Sequence, residues 1–252
     1  MTPAQRDAWF ALGLGPLWVE RPARGAVASD AKAEAGEGAI IAQDAMIEIG
    51  TDAGMGDSAP SAWDDLHAEA EVCRACPLGD VRRRVVVGDG PTAAKCLLIG
   101  EAPGAEEDRQ GLPFVGRAGA LLDQMLAAIG LDRTRDVYVT NTLKCRPPDN
   151  RNPEVAELAR CRPFLDRQIA LLQPRVAVLL GRFAAQSVLQ TDASIGSLRG
   201  AVHEATVGGV ELRCIVTYHP AYLLRNPQDK AKAWRDWVAV RRECGGIESA
   251  SS

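Results

Sequence analysis

Lys95-Cys-Leu-Leu-Ile-Gly100-Glu-Ala-Pro-Gly104 sets a short apolar run directly against a turn bounded by two glycines. The run over residues 95–99 has the length of a buried strand. Glycine at the turn lets backbone approach a ligand closely. Outward from this stretch, strand and helix signals alternate. Residues 118–129 carry helical spacing through Leu121, Leu122, Met125 and Leu126, with Gly130 as the C-terminal stop. Residues 137–140 form a second strand, and Pro153 opens a helix through Leu158, Cys161 and Leu165. Residues 176–180 form a third strand, 183–189 a helix, 212–217 a fourth strand, and 229–241 a closing helix. Elements of these lengths in alternation predict a three-layer α/β/α sandwich around a central, mostly parallel four-stranded sheet.

That reading locates the chemistry. Gly100-Glu101, Asn141, Gly181 and His219-Pro220 each follow a predicted strand, at the carboxyl ends where open α/β sheets bind ligands. Motifs far apart in sequence should therefore meet in space.

Composition bounds the rest. At 252 residues the chain has room for one large domain or two small ones. Its apolar stretches, such as Val176 to Leu180, fall far short of the roughly 20 residues of a spanning helix. The start, Met1-Thr-Pro-Ala-Gln-Arg-Asp7, lacks the basic and apolar regions of a secretory signal, so a cytoplasmic location is expected. Residues 1–62 form an N-terminal extension: short helices around Trp9, Phe10 and Trp18, then an Ala-, Gly- and acid-rich linker expected to be mobile. The folded domain is expected over residues 63–245, with a disordered tail at 246–252. The formal charge of −4 belongs to the extension, which holds 4 basic and 9 acidic side chains, leaving 25 and 24 elsewhere. Local basic groups at Arg82-Arg83-Arg84, at Lys144, Arg146 and Arg151, and at Arg225, Lys230 and Lys232 suit phosphate contacts.

Seven cysteines divide into classes. Cys96 and Cys214 sit in apolar runs as core residues, and Cys244 has no evident partner. Cys73 and Cys76 make a Cys-x2-Cys pair, and Cys145 and Cys161 follow with fifteen residues between them. In a reducing compartment such spacing argues for metal before disulfide. Zinc and an iron–sulfur cluster both accept four thiolates.

Gly100 through Gly119, Gly-Glu-Ala-Pro-Gly-Ala-Glu-Glu-Asp-Arg-Gln-Gly-Leu-Pro-Phe-Val-Gly-Arg-Ala-Gly, resembles the first signature of the family 4 uracil-DNA glycosylases, the thermostable-type iron–sulfur enzymes. Asn141-Thr-Leu-Lys-Cys-Arg-Pro-Pro-Asp-Asn-Arg151 and His219-Pro-Ala-Tyr-Leu-Leu-Arg-Asn-Pro227 resemble its second and last signatures, in the same order, and the cysteine pattern agrees. The resemblance covers residues 63–242. It implies a uracil-DNA glycosylase-like fold and an enzyme that flips deoxyuridine from single- or double-stranded DNA and hydrolyses its N-glycosidic bond, leaving an abasic site for base-excision repair.

Roles follow by the same resemblance. Phe114 stacks on uracil, the Asn141 amide reads its edge, and His219 donates to O2 as negative charge develops. Gly100, Glu101 and Ala102 line the pocket. Glu107 lies near the glycosidic bond, where it orients water, stabilises the sugar cation or excludes a 5-methyl group. In the best-known glycosylase family an aspartate stands where this chain has Ala102, so that general-base assignment does not transfer. Leu223 or Leu224 enters the minor groove. Arg117, Lys144 and Arg225 contact the DNA backbone. Cys73, Cys76, Cys145 and Cys161 hold a structural [4Fe-4S] cluster. A monomer is expected, with the N-terminal extension as a docking element for a replication or repair partner. Two alternatives stand beside the enzyme: a protein that captures uracil-DNA covalently, and a non-catalytic iron–sulfur interaction protein. Capture uses a histidine on a basic insert after the second signature, and this chain has neither the insert nor a histidine between Asn141 and Cys161.

Overall fold

The computed structural model describes residues 61–245. The extension over residues 1–62 and the tail over 246–252 thus lie outside the described residues, apart from Ser61 and Ala62. Helix α1 (Ala62–Val72) opens the domain one residue before the expected start. Ser61 and Asp64 cap it reciprocally: Ser61 Oγ accepts from Asp64 N at 3.2 Å, and Asp64 Oδ2 accepts from Ser61 N at 3.0 Å. Leu66 and Ala70 of α1 pack with Val85 and Val87, and α2 (Leu78–Val81) follows the first cysteine pair.

Strands β1 (Cys96–Gly100), β2 (Val137–Asn141), β3 (Val176–Leu180), β4 (Val202–Val207) and β5 (Val210–Thr217) form one sheet in the order β2-β1-β3-β5-β4. The parallel set β2, β1, β3 and β5 is the predicted one, and β4, antiparallel to β5, corrects the four-stranded expectation to five. β4 is an edge strand in which exposed residues alternate with partly buried ones and His203, Glu204 and Thr206 are polar, so it lacks the continuous apolar run of β1 and β3. The readable signal was Gly208-Gly209. Both have positive φ, 58° and 79°, as a two-residue hairpin turn requires.

Side-chain alternation along the strands splits the core into two faces. Val139, Leu98, Val178 and Ile215 lie in register across the sheet and pack under α4 (Arg117–Ala128) and α9 (Lys230–Gly245), against Leu122, Leu126 and Trp237. Leu97, Ala177 and Cys214 form the opposite row, covered by Leu165 and Ile169 of α5 (Val155–Leu172) and by Val188 of α6 (Arg182–Leu189). The short helices α3 (Ala105–Gln110), α7 (Ile195–Leu198) and α8 (Pro220–Arg225) follow strand ends or loops. Sheet and helices make the expected three layers. Because β1, β2, β3 and β5 run the same way, Gly100, Asn141, Gly181 and His219 come to one edge of the sheet. Among the described residues no helix is long and apolar enough to cross a membrane.

Candidate active site

A cleft of about 830 Å³ opens at that edge, with Glu101, Phe114, Asn141, Gly181, His219 and Arg225 among its lining residues. Asn141 lies at the end of β2, in register with Gly100 of β1. It is 2% exposed, and its side-chain Oδ1 has no hydrogen-bond partner. A buried amide oxygen left unpaired costs stability, so this group is poised for an external donor. The Asn141 carbonyl is held from below, accepting from Lys144 Nζ at 2.7 Å. A side chain at Gly100 would collide with Asn141 Oδ1 and lie 2.7 Å from Phe114 Cζ. Only glycine lets the amide and the ring meet over the strand end.

Phe114 is buried with φ 52°, a left-handed conformation that a bulky residue rarely adopts. Gly119 of α4 leaves the space its carbonyl occupies, and Arg133 donates to that carbonyl at 2.8 Å. The Phe114 ring stacks beside His219, centroids 5.4 Å apart and planes 28° from parallel. His219 caps α8: its Nδ1 accepts from Ala221 N at 3.1 Å. Burial, helped by the Arg225 charge, lowers its pKa to about 4, so the ring is neutral at physiological pH. With Nδ1 accepting, the proton sits on Nε2, which becomes an uncharged donor. Gly181, at φ 95°, makes room for this ring; a Cβ there would stand 3.1 Å from His219 Cβ.

The carboxylates differ. Burial pushes the Glu101 pKa up, while Arg182 and Arg225 pull it back. The Glu101 carbonyl accepts from Thr142 Oγ1 at 2.6 Å and Leu143 N at 3.1 Å, tying the turn after β1 to the loop after β2. Glu107 is a clasp: Oε2 accepts from Gly104 N at 3.1 Å, and Oε1 accepts from Val115 N at 3.0 Å and Gly116 N at 3.1 Å. It ties the start of α3 to the far end of the loop that carries Phe114.

The family model described as the uracil DNA glycosylase superfamily matches residues 87–238, which contain all of these groups. The chain belongs to the uracil DNA glycosylase superfamily. It is 42% identical over 186 residues to the type-4 uracil-DNA glycosylase of Archaeoglobus fulgidus, covering 72% of this chain and 93% of that protein. To the type-4 uracil-DNA glycosylase of Thermotoga maritima it is 44% identical over 161 residues, 64% of this chain and 82% of that protein. A type-5 uracil-DNA glycosylase of Thermus thermophilus is 35% identical over 153 residues, covering 54% of this chain and 68% of its own length. The family 4 resemblance read from the signatures therefore holds across most of the described domain.

Against this superfamily site, the remaining expectations sort by position. Cys73, Cys76, Cys145 and Cys161 line one small cavity with Arg82 and Lys144, and all four thiols are free. Arg82 donates to Cys145 Sγ at 3.0 Å, and Lys144 N to Cys161 Sγ at 3.3 Å. Among the described residues no three His, Cys, Asp or Glu side chains are gathered closely enough to hold a single metal ion. Arg82, expected on a basic surface, instead turns inward to this cavity.

Two expected DNA contacts are corrected. Lys144 is 1% exposed, and its ammonium donates to Thr140 Oγ1 and to the Asn141 carbonyl, both at 2.7 Å. Burial lowers its pKa to about 8, and it cannot reach a phosphate. Its neighbours Leu143 and Cys145 are buried too, but an isolated lysine in the sequence reads as surface. Leu223, on the core-facing side of α8, is fully buried, whereas Leu224 is exposed beside Arg225. The apolar tip available to a groove is Leu224. Arg117 is exposed at the first position of α4.

Three residues at the site escaped the sequence reading. Thr142 braces the Glu101 carbonyl. Arg182 follows Gly181 on the cleft wall, its guanidinium 4.6 Å over the Phe183 ring. Arg133 reaches Phe114 from nineteen residues away. For Arg182 the signal was its place directly after a strand-end glycine; for Arg133 there was none.

Proposed function

We propose that this chain flips deoxyuridine out of DNA and hydrolyses the bond between C1′ and uracil N1, releasing uracil and leaving an abasic site. The observation that carries the reading is the buried, unpartnered Asn141 Oδ1, which meets the Phe114 ring over Gly100. A primary amide offers an acceptor for uracil N3–H and a donor for O4, whereas cytosine presents an acceptor and a donor in those places. A base that cannot pair leaves the amide unsatisfied, which costs about 1–3 kcal/mol. Phe114 supplies the stacking face.

As the C1′–N1 bond breaks, its electron pair passes into the uracil ring and charge grows at O2. His219, neutral with its proton on Nε2, stabilises that charge as a preorganised donor. Water then adds to C1′ and releases a proton to solvent, and the departing uracil anion takes one up. Glu107, its oxygens engaged by three amides, contributes fixed negative charge near the sugar cation and shape near C5. Glu101, with Gly100 and Ala102, completes the pocket wall. Arg225, Arg117 and the exposed tip of Leu224 meet the DNA.

The cysteine cavity fits a [4Fe-4S] cluster: an all-thiolate donor set with a guanidinium and an amide already donating to two of the sulfurs, as an anionic centre requires. Cys73, Cys76, Cys145 and Cys161 would hold it, and it would supply a cross-link between the segment after α1, the loop after β2 and α5, while hydrolysis needs no electron transfer. The extension over residues 1–62 is read as a docking element for a repair or replication partner of a monomeric enzyme.

The test is a fluorescently labelled oligonucleotide with one uracil, incubated with protein and then alkali. Scission at uracil in single- or double-stranded substrate is expected. Intact strands overturn the reading, and a protein band shifted by DNA on a denaturing gel replaces it with covalent capture.

A further inference from the structure

Resting on the functional reading above, we infer that Arg133 is the positioning residue that sets the uracil-stacking ring of Phe114 against the Asn141 amide. Phe114 occupies a left-handed backbone conformation, φ 52°, that costs on the order of 1–3 kcal/mol unless its surroundings impose it. Arg133 imposes it. One terminal nitrogen donates to the Phe114 carbonyl at 2.8 Å and the other to the Pro113 carbonyl, so the guanidinium fork grips two consecutive peptide units. Its Nε lies 3.6 Å from Asp89 Oδ2, and the nitrogen that holds the Phe114 carbonyl also lies 3.4 Å from Asp123 Oδ1. The Arg133 side chain is only 16% exposed, so its carbonyl contacts work in reduced dielectric, while Asp89 and Asp123, 44% and 51% exposed, add less.

The carboxylates have different anchors. Asp123 belongs to α4. Asp89 is bridged to β2 through paired backbone bonds with Val139, 2.9 and 2.8 Å long. β2 ends two residues later at Asn141. The contacts therefore run from β2 through Asp89 and Arg133 to the Phe114 carbonyl, and both arms of the base pocket are referenced to one strand. Their spacing leaves little tolerance, because ring and amide both crowd the position of a Cβ at Gly100. A planar fork meets two carbonyls and two carboxylates at once; an ammonium does not.

Free uracil as a competitive inhibitor of the glycosylase reaction reads the pocket without the DNA contacts. R133M is expected to weaken uracil inhibition roughly tenfold or more, the scale of one lost interaction of about 1.4 kcal/mol, while affinity for uracil-free duplex stays at the wild-type value. R133K is expected to fall between. F114L weakens inhibition as well, and R133M/F114L is expected to be no weaker than F114L alone, because Arg133 acts through the ring. Should R133M not fold, R133K and D123N carry the same comparison. Wild-type uracil inhibition in the Arg133 variants, or additive losses in the double variant, overturns the assignment while leaving the enzyme reading intact. A wild type that releases no uracil overturns both.

Discussion

His219 is held neutral by its surroundings, and this has consequences in two measurements. Its folded pKa of about 4 lies below the ordinary histidine value near 6.5, so the folded chain binds fewer protons than the unfolded one between those limits. The contribution of this group to stability is complete above about pH 6.5 and is lost as pH falls toward 4. Thermal unfolding of the wild type should therefore soften across that window, and His219→Gln should flatten the dependence. In the rate profile, no limb near pH 6.5 should arise from this group. On the proposed reading, in which His219 donates mainly in the transition state, His219→Ala is expected to lower kcat by about 10²–10³-fold with little change in KM. Single-turnover uracil release measures this. At Gly100 the effect is steric: Gly100→Ala drives a methyl into the Asn141 amide and the Phe114 ring. Activity should fall by at least tenfold while the sheet stays intact by circular dichroism.

At the scale of elements, the turn between β4 and β5 offers a paired comparison. Gly208 and Gly209 both have positive φ, but a Cβ on Gly208 would strike the Asp166 carbonyl, whereas one on Gly209 meets open space. Gly209→Ala should cost about 1–2 kcal/mol, the penalty of a left-handed residue alone. Gly208→Ala should cost more, because the edge hairpin must also move off α5. Urea unfolding of the two variants tests the order. The same hairpin shows why a strand was missed. β1, β2 and β3 are buried from end to end; β1 and β3 read as continuous apolar runs, and β2 as an apolar run that ends at Thr140 and Asn141. β4 has one solvated face and His203, Glu204 and Thr206 interrupt its run. Helix α5 runs through Pro163 and eighteen residues, from a start at Val155 fixed by the Glu157 carboxylate accepting from Glu154 N at 2.9 Å. Its opening after Pro153 was legible as a proline start.

For the molecule as a whole, the cysteine cavity joins segments that are distant in sequence. Cys73 and Cys76 follow α1, Cys145 lies in the loop beyond Asn141, and Cys161 is on α5. If these thiolates hold a cluster, purified protein is brown with iron in excess of one per chain, and stoichiometric zinc without iron removes the assignment. Stripping the iron should lower the unfolding temperature, because a ligand bound only by the folded state stabilises it. Uracil release should fall with it, since the Asn141 loop loses its tether. The ends of β1, β2, β3 and β5 and the order of the signatures were legible in the sequence, because strand length and glycine turns are local properties, whereas the candidate roles of Phe114, Asn141 and His219 came from the resemblance those signatures carry. Only the tertiary structure decided that Lys144 props up Asn141 from inside, that Leu223 is core while Leu224 is exposed, that Glu107 is a clasp, and that Arg133 grips the Phe114 carbonyl. Each depends on which way a side chain turns once distant segments meet, and spacing along the chain carries no record of that choice.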